Sequence, residues 1–189
     1  MALEGKLVIL REQKREDMQK LVDLRNDLET QAWSVSLPPD YTLEMYQKRY
    51  DKREFSFERQ DGQFTILIKD SGEYAGLVSY TDLQPRFSAT IGIIVDKKYW
   101  GGGVAYDAQE VLLKFLFEEL GLRVVRLWTH SGNPRAVKLA EKSGFKVSLR
   151  MREAIWKNGQ LLDNLNIDLL REEYYALHPE LIDGMPAIG

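Results

Sequence analysis

The stretch Trp100-Gly101-Gly102-Gly103-Val104-Ala105-Tyr106 joins an apolar, strand-like run to an amphipathic, helix-like one, and its residue types suit the binding of an anion. Unpaired N–H groups and the positive end of the peptide dipoles converge where a helix begins. Glycine there lets the backbone come close to a phosphate and take a positive φ. Two common phosphate loops do not fit: a dinucleotide fingerprint needs glycine where Tyr106 stands, and a P-loop needs Gly-Lys followed by Ser or Thr. A plain strand-to-helix connection fits the glycines equally well, so residues elsewhere must decide. Other groups able to do chemistry are few. The chain has 2 histidines, His130 and His178, and no cysteine. That excludes disulfides, thiolate metal sites and a cysteinyl intermediate. Two histidines so far apart give no metal-ligand spacing, and no metal is expected.

The elements that must position these residues can be read from periodicity. Residues 6–11 alternate as a strand, residues 17–28 carry Met18, Leu21, Val22 and Leu24 at helical spacing, and residues 41–50 follow the Pro38-Pro39 break as a second helix. Residues 64–69, 74–80 and 89–95 are β-rich runs separated by turn residues, an antiparallel meander. Residues 105–120 place Ala108, Val111, Leu112, Phe115 and Leu116 on one helical face, with Gly121 closing the helix. A strand at 123–128 precedes a helix that Asn133 caps, Pro134 opens and Gly144 closes. The end reads as a hairpin, 145–156 and 161–169, turning at Asn158-Gly159, with a short helix at 171–177. This order predicts an α+β fold: one central mixed, mostly antiparallel sheet flanked by helices, with a C-terminal β-hairpin.

With 189 residues, 44% hydrophobic and 29% charged, the chain is of ordinary globular composition, and residues 1–189 are expected to form a single domain. A net charge of -3 gives no basic stripe for nucleic acid and mildly suits a cationic partner. The start lacks the pattern of a signal peptide and no apolar run approaches a membrane span, so a cytoplasmic location without membrane attachment is expected.

Taken together, the turn at Trp100 to Ala105, the strand before it and the later run Asn133-Pro134-Arg135-Ala136 to Glu141-Lys142-Ser143-Gly144-Phe145 resemble the GNAT superfamily of N-acetyltransferases. The closing Asn158-Gly159, Asp163 and Leu170 to Tyr174 stretch resembles it too. The Trp-Gly-x-Gly form is similar to a Rim-type branch that acts on ribosomal-protein N-termini and on small amines such as polyamines. Tryptophan at 100 departs from the family's usual first residue of the turn. The resemblance implies a GNAT-like fold and acetyl-CoA as cosubstrate. It implies that the amides from Gly101 to Tyr106 hold the pyrophosphate and that the edge at Ile93, Ile94 and Val95 pairs with pantetheine. Asn133, Arg135 and Lys138 would reach the cofactor as well, although capping alone explains Asn133 and a solvated helix face explains Arg135 and Lys138.

The implied reaction is direct transfer of an acyl group, acetyl first, to a primary amine in a ternary complex. One backbone N–H, from Ile94 or Val95, would stabilise the oxyanion. Relatives carry a tyrosine acid where Ala140 stands and an acidic residue near Thr90; both are missing, which also fits a module that binds acyl-CoA without turnover. A CoA thiol leaves readily as thiolate, so the base matters more than the acid. His130, after the strand 123–128, is the candidate base, Ser143 a candidate donor near the thiol, and Asp82 and Asp163 further carboxylates. Trp33, Tyr41 and Tyr80 would wall the acceptor pocket, or serve the core. The exposed strand edges of the terminal hairpin are compatible with a homodimer.

Overall fold

The computed structural model describes residues 2–31, 33–34, 40–54 and 60–182. Strands β1 (Ala2–Glu4) and β2 (Val8–Glu12) open the chain, and helices α1 (Met18–Asn26), α2 (Leu28–Gln31) and α3 (Leu43–Glu54) follow. Strands β3 (Gly62–Ile68), β4 (Tyr74–Gln84) and β5 (Ser88–Val95) form the meander. Then come α4 (Val104–Lys114), β6 (Val124–His130), α5 (Pro134–Lys142), β7 (Lys146–Lys157), β8 (Gln160–Leu170) and α6 (Arg171–Leu177). All eight strands join one sheet in the order β1-β2-β3-β4-β5-β6-β8-β7. Every neighbouring pair is antiparallel except β5 with β6. The expected mixed, mostly antiparallel α+β architecture is therefore the one observed.

Three departures from the expected elements have local causes. The opening strand is a hairpin, because the turn between β1 and β2 is held by Asp107, whose carboxylate accepts the N–H groups of Lys6, Leu7 and Val8 at 2.7–3.1 Å. The first helix breaks at Asp27, which turns extended and uses Oδ1 to cap the N–H of Thr30 at 2.8 Å. The long helix ends its α-helical course at Lys114 and finishes in one wider turn, Phe115–Glu119, before Gly121 at φ 63°. The Pro38-Pro39 break lies outside the described residues.

Alternation sorts each strand's side chains onto two faces. One face carries Ile66, Val78, Ile91, Val125, Ile167 and Leu169 against Val104, Ala108 and Leu112 of α4, the main core. On the other face, Leu77 is buried beneath the α1 side of the sheet, where Met18, Leu21, Val22 and Leu24 are buried in turn. Asn158 and Gly159, at φ 51° and 75°, make the tight turn between β7 and β8 that the Asn-Gly pair predicts. Among the described residues no helix is long and apolar enough to cross a membrane.

Candidate active site

The parallel strands β5 and β6 pair only over Ser88 to Thr90 and Val124 to Arg126. Beyond Thr90 they part, although β5 continues to Val95 and β6 to His130. On its far side β5 stays zipped to β4 as far as the pair Gly76 and Val95. One edge of β5 is thus a row of peptide groups without a strand beside it, the arrangement an extended amide chain can complete.

The register says which peptides face the gap. Antiparallel residues alternate between bonding their neighbour and facing away. Asp96 donates its N–H to Ala75 at 2.8 Å, so Ile94, opposite Leu77, bonds toward β4, and Ile91, Ile93 and Val95 face the gap. The N–H of Val124, donated to the carbonyl of Phe87 at 3.1 Å, sets the same parity from β6. This corrects one expectation: of the two amides expected to meet a thioester oxygen, Val95 points into the gap and Ile94 belongs to the β4 ladder.

At the end of that edge lies the glycine turn. Gly101 and Gly103 take φ values of 79° and 84°, and Gly103 is the N-cap of α4. The first intrahelical donor is Asp107 N–H, to Gly103 O at 2.9 Å. The N–H groups of Val104, Ala105 and Tyr106 therefore head the helix with no acceptor within it. Gly101, Gly102 and Gly103 are exposed, so an anion has access. A side chain at Gly103 would be strained by its φ and would press on Leu7, 3.3 Å away.

Cations from α5 surround the turn. The Arg135 guanidinium sits over the Trp100 ring at 4.1 Å and over the Trp33 ring at 5.1 Å. Lys142 stands 3.9 Å over the ring of Tyr106. Residues 135, 138 and 142 share one helical face, so exposed Lys138 lies between two side chains that both look onto the turn. Trp100 also fixes the turn to the open strand edge, because its indole N–H donates to the carbonyl of Val95 at 2.8 Å. Lys142 belongs to the Glu141-Lys142-Ser143-Gly144-Phe145 run but is not among the residues expected at the cofactor; its seven-residue offset from Arg135 places it on the same face.

On the β6 side, three side chains hold the carbonyls of Gln31, Trp33 and Ser34. Asn133 caps α5 by accepting the N–H of Ala136 at 3.2 Å, and its amide donates to the carbonyl of Trp33 at 3.0 Å. His130 Nε2 lies 3.2 Å from the same carbonyl. A carbonyl only accepts, so Nε2 carries the hydrogen and Nδ1 is the basic nitrogen of the neutral ring. Lys157, which no sequence pattern marks, donates to the carbonyls of Gln31 (2.9 Å) and Ser34. Burial lowers the pKa of His130, opposed by its bond to Trp33 and reinforced by the charge of Lys157; burial lowers that of Lys157 as well. His130 is 2% exposed and Nδ1 has no hydrogen-bond partner.

Other candidates fall elsewhere. Tyr80 is opposite Ile91 and shares its face, packing on Phe64 and Phe115 at 6.5 and 6.3 Å, while His130 lies on the other face. It belongs to the core wall and does not join Trp33. Tyr41 packs on Tyr46. Ser143 is buried between α4 and α5, where its hydroxyl accepts from Gln109 at 2.9 Å, a packing link rather than part of the gap. Asp82 is exposed, at φ 53°, in the irregular end of β4, with Thr81 bonded to its carboxylate. Asp163 accepts the Glu153 N–H and an Arg150 N–H, which hold its pKa below the usual carboxylate range and make it a poor base. Among the described residues no three His, Asp or Glu side chains are grouped to hold a metal ion.

Known proteins share this plan. Residues 8–146 match the family model described as acetyltransferase (GNAT) domain. The spermidine N(1)-acetyltransferase of Escherichia coli (strain K12) is 26% identical over 172 residues, 90% of each chain. A putative ribosomal N-acetyltransferase of Bacillus subtilis (strain 168) is 30% identical over 104 residues, 54% of this chain and 57% of that one. The spermidine N-acetyltransferase from Vibrio cholerae, in complex with CoA and spermine, superposes with a TM-score of 0.81 at 23% identity, over 90% of this chain and 99% of that one. With a strand edge opened beside a glycine turn and a family match over most of its length, this chain belongs to the GNAT acetyltransferase family, enzymes that move an acetyl group from acetyl-CoA to an amine.

Proposed function

We propose that residues 1–189 act as one acetyltransferase domain that binds acetyl-CoA along the open edge of β5 and passes its acetyl group to a primary amine in a ternary complex. The observation that carries this reading is the gap: two parallel strands that part after three paired residues, with Ile93 and Val95 facing it and the glycine turn at its end. Pantetheine is an amide chain that completes the β5 ladder, and the pyrophosphate takes the N–H groups of Val104, Ala105 and Tyr106. Arg135, Lys138 and Lys142 add positive charge around it. The Val95 N–H meets the thioester oxygen as it gains charge.

The amine nitrogen attacks the thioester carbon, the C–N bond forms as C–S breaks, and sulfur leaves as thiolate. The nitrogen's proton passes through water to His130 Nδ1, the neutral and basic position of that buried ring. Trp33, held over Arg135 by the strap of bonds to the carbonyls of Gln31, Trp33 and Ser34, closes the acceptor side. The acceptor belongs to the primary amines, the class that includes the spermidine of the relatives' names and protein N-termini. A cytoplasmic location accords with this donor. The β7 edge, exposed along most of its length, supports pairing of two copies.

Release of CoA thiol from acetyl-CoA, measured against peptides, polyamines, aminoglycosides and amino acids, tests this reading. Amine-dependent release is expected; background release with every amine would contradict catalysis.

A further inference from the structure

Carrying the β5–β6 register past Thr90 and Arg126 sets Gly92 opposite Trp128 and Ile94 opposite His130, on the face away from α4. Gly92 is exposed, and a Cβ there would meet only Ser79 Oγ at 3.4 Å, so this side of the gap has room. Trp128 is 51% exposed, an unusual state for a large apolar ring inside a sheet. Arg126, exposed where the strands part, forms no ion pair among the described residues. The one carboxylate on that cross-strand row, Asp168, stands between Arg126 and Lys146. Beyond it the β8 row continues with Asn166 and Asn164.

A polyamine carries several ammonium groups and needs several carboxylates along its length. Among the described residues this row offers an arginine without an ion pair and a single carboxylate flanked by cations, with a flat aromatic wall beside it. We propose that it is the acceptor subsite and that it takes an α-amino acid with an apolar or aromatic side chain. The carboxylate pairs with the Arg126 fork, the side chain lies on Trp128 over Gly92, and the amine points into the gap. Arg126 and Trp128 are two residues apart on β6, roughly 6.6 Å, a span that one amino acid covers. The products are the N-acetyl amino acid and CoA thiol, with the amine proton lost to the base. The proposal rests on the acetyl-transfer reading above and narrows its acceptor.

The test uses the full chain with acetyl-CoA and three acceptors: L-phenylalanine, phenethylamine, which lacks only the carboxylate, and spermidine. The kcat/KM for phenylalanine should exceed that for phenethylamine by about 10-fold or more, the effect of a charge-assisted pair. Arg126→Met should erase that ratio. Gly92→Leu should raise the KM for phenylalanine and leave the rise in Tm with acetyl-CoA unchanged. Phenethylamine or spermidine used as well as phenylalanine, an unchanged ratio in Arg126→Met, or no turnover of phenylalanine would overturn the proposal. In the last case a persisting Tm rise with acetyl-CoA leaves the donor site standing, whereas its loss removes both readings.

Discussion

The guanidinium of Arg135 lies 4.1 Å over the indole of Trp100, tying the first turn of α5 to the start of the glycine turn. The same indole donates to the carbonyl of Val95, so a single side chain links both walls of the gap. Trp100→Ala removes a cation–π contact and a hydrogen bond, together about 2 kcal/mol. Acetyl-CoA affinity should fall about 30-fold by calorimetry, with Trp100→Phe intermediate because the stack survives. Equal affinity in all three proteins would refute the linkage.

His130 gives a pH dependence of definite sign. Its folded pKa is lowered, chiefly by burial, below the unfolded value of about 6.5. As pH falls through about 6.5 the unfolded chain takes up a proton that the folded ring refuses, so stability is full above that pH and declines beneath it. His130→Gln should flatten this decline in Tm between about pH 7 and 5. If Nδ1 also serves as base, the variant should lose roughly 100-fold in kcat and keep its KM for acetyl-CoA. An unchanged kcat would leave His130 with only its bond to Trp33.

Lys157 holds the carbonyls of Gln31 and Ser34 from the far end of β7. Lys157→Met leaves both without their donor and should destabilise the protein by about 1–3 kcal/mol. Because the strap carries Trp33, the KM for the amine should rise more than that for acetyl-CoA. A wild-type KM for the amine would show that the strap does not border the acceptor.

Strand β7 presents Val147, Leu149 and Met151 at 47%, 54% and 42% exposure, and Trp156 at 70%. An apolar edge of this length is a template for a second chain. Light scattering should give a dimer, and Leu149→Lys with Trp156→Glu a monomer. A wild-type monomer at all concentrations would contradict the pairing.

How far the site was legible depended on whether a feature is local. The capped start at Asn133, the Asn158-Gly159 turn and the α4 stripe are short-range patterns; the first two lie where the sequence puts them, and the stripe holds although the helix widens after Lys114. The glycine turn was legible for the same reason. The gap was not, because strand periodicity marks β5 and β6 without saying where a parallel pair separates. Choosing Val95 over Ile94 needs the partner's register, and so does moving Tyr80 to the core face. Alternation along β6 puts Arg126, Trp128 and His130 on one face, but the strand pattern stops at Trp128 and leaves His130 outside it, whereas β6 runs on to His130. Lys157 and Asp107 act on segments about 120 and 100 residues away, contacts that no local pattern carries.

Gly103 tests the central claim most directly. Its φ of 84° and its place at the head of α4 put it at the turn where the proposed pyrophosphate contact is made. Binding of acetyl-CoA to the wild type and to Gly103→Glu should be titrated side by side, with each protein's own Tm recorded. The predicted result is a loss of at least about 10-fold in affinity for the variant, from a carboxylate placed against the pyrophosphate, with only a modest fall in Tm. Equal affinity for the two proteins would contradict the placement of acetyl-CoA at this turn.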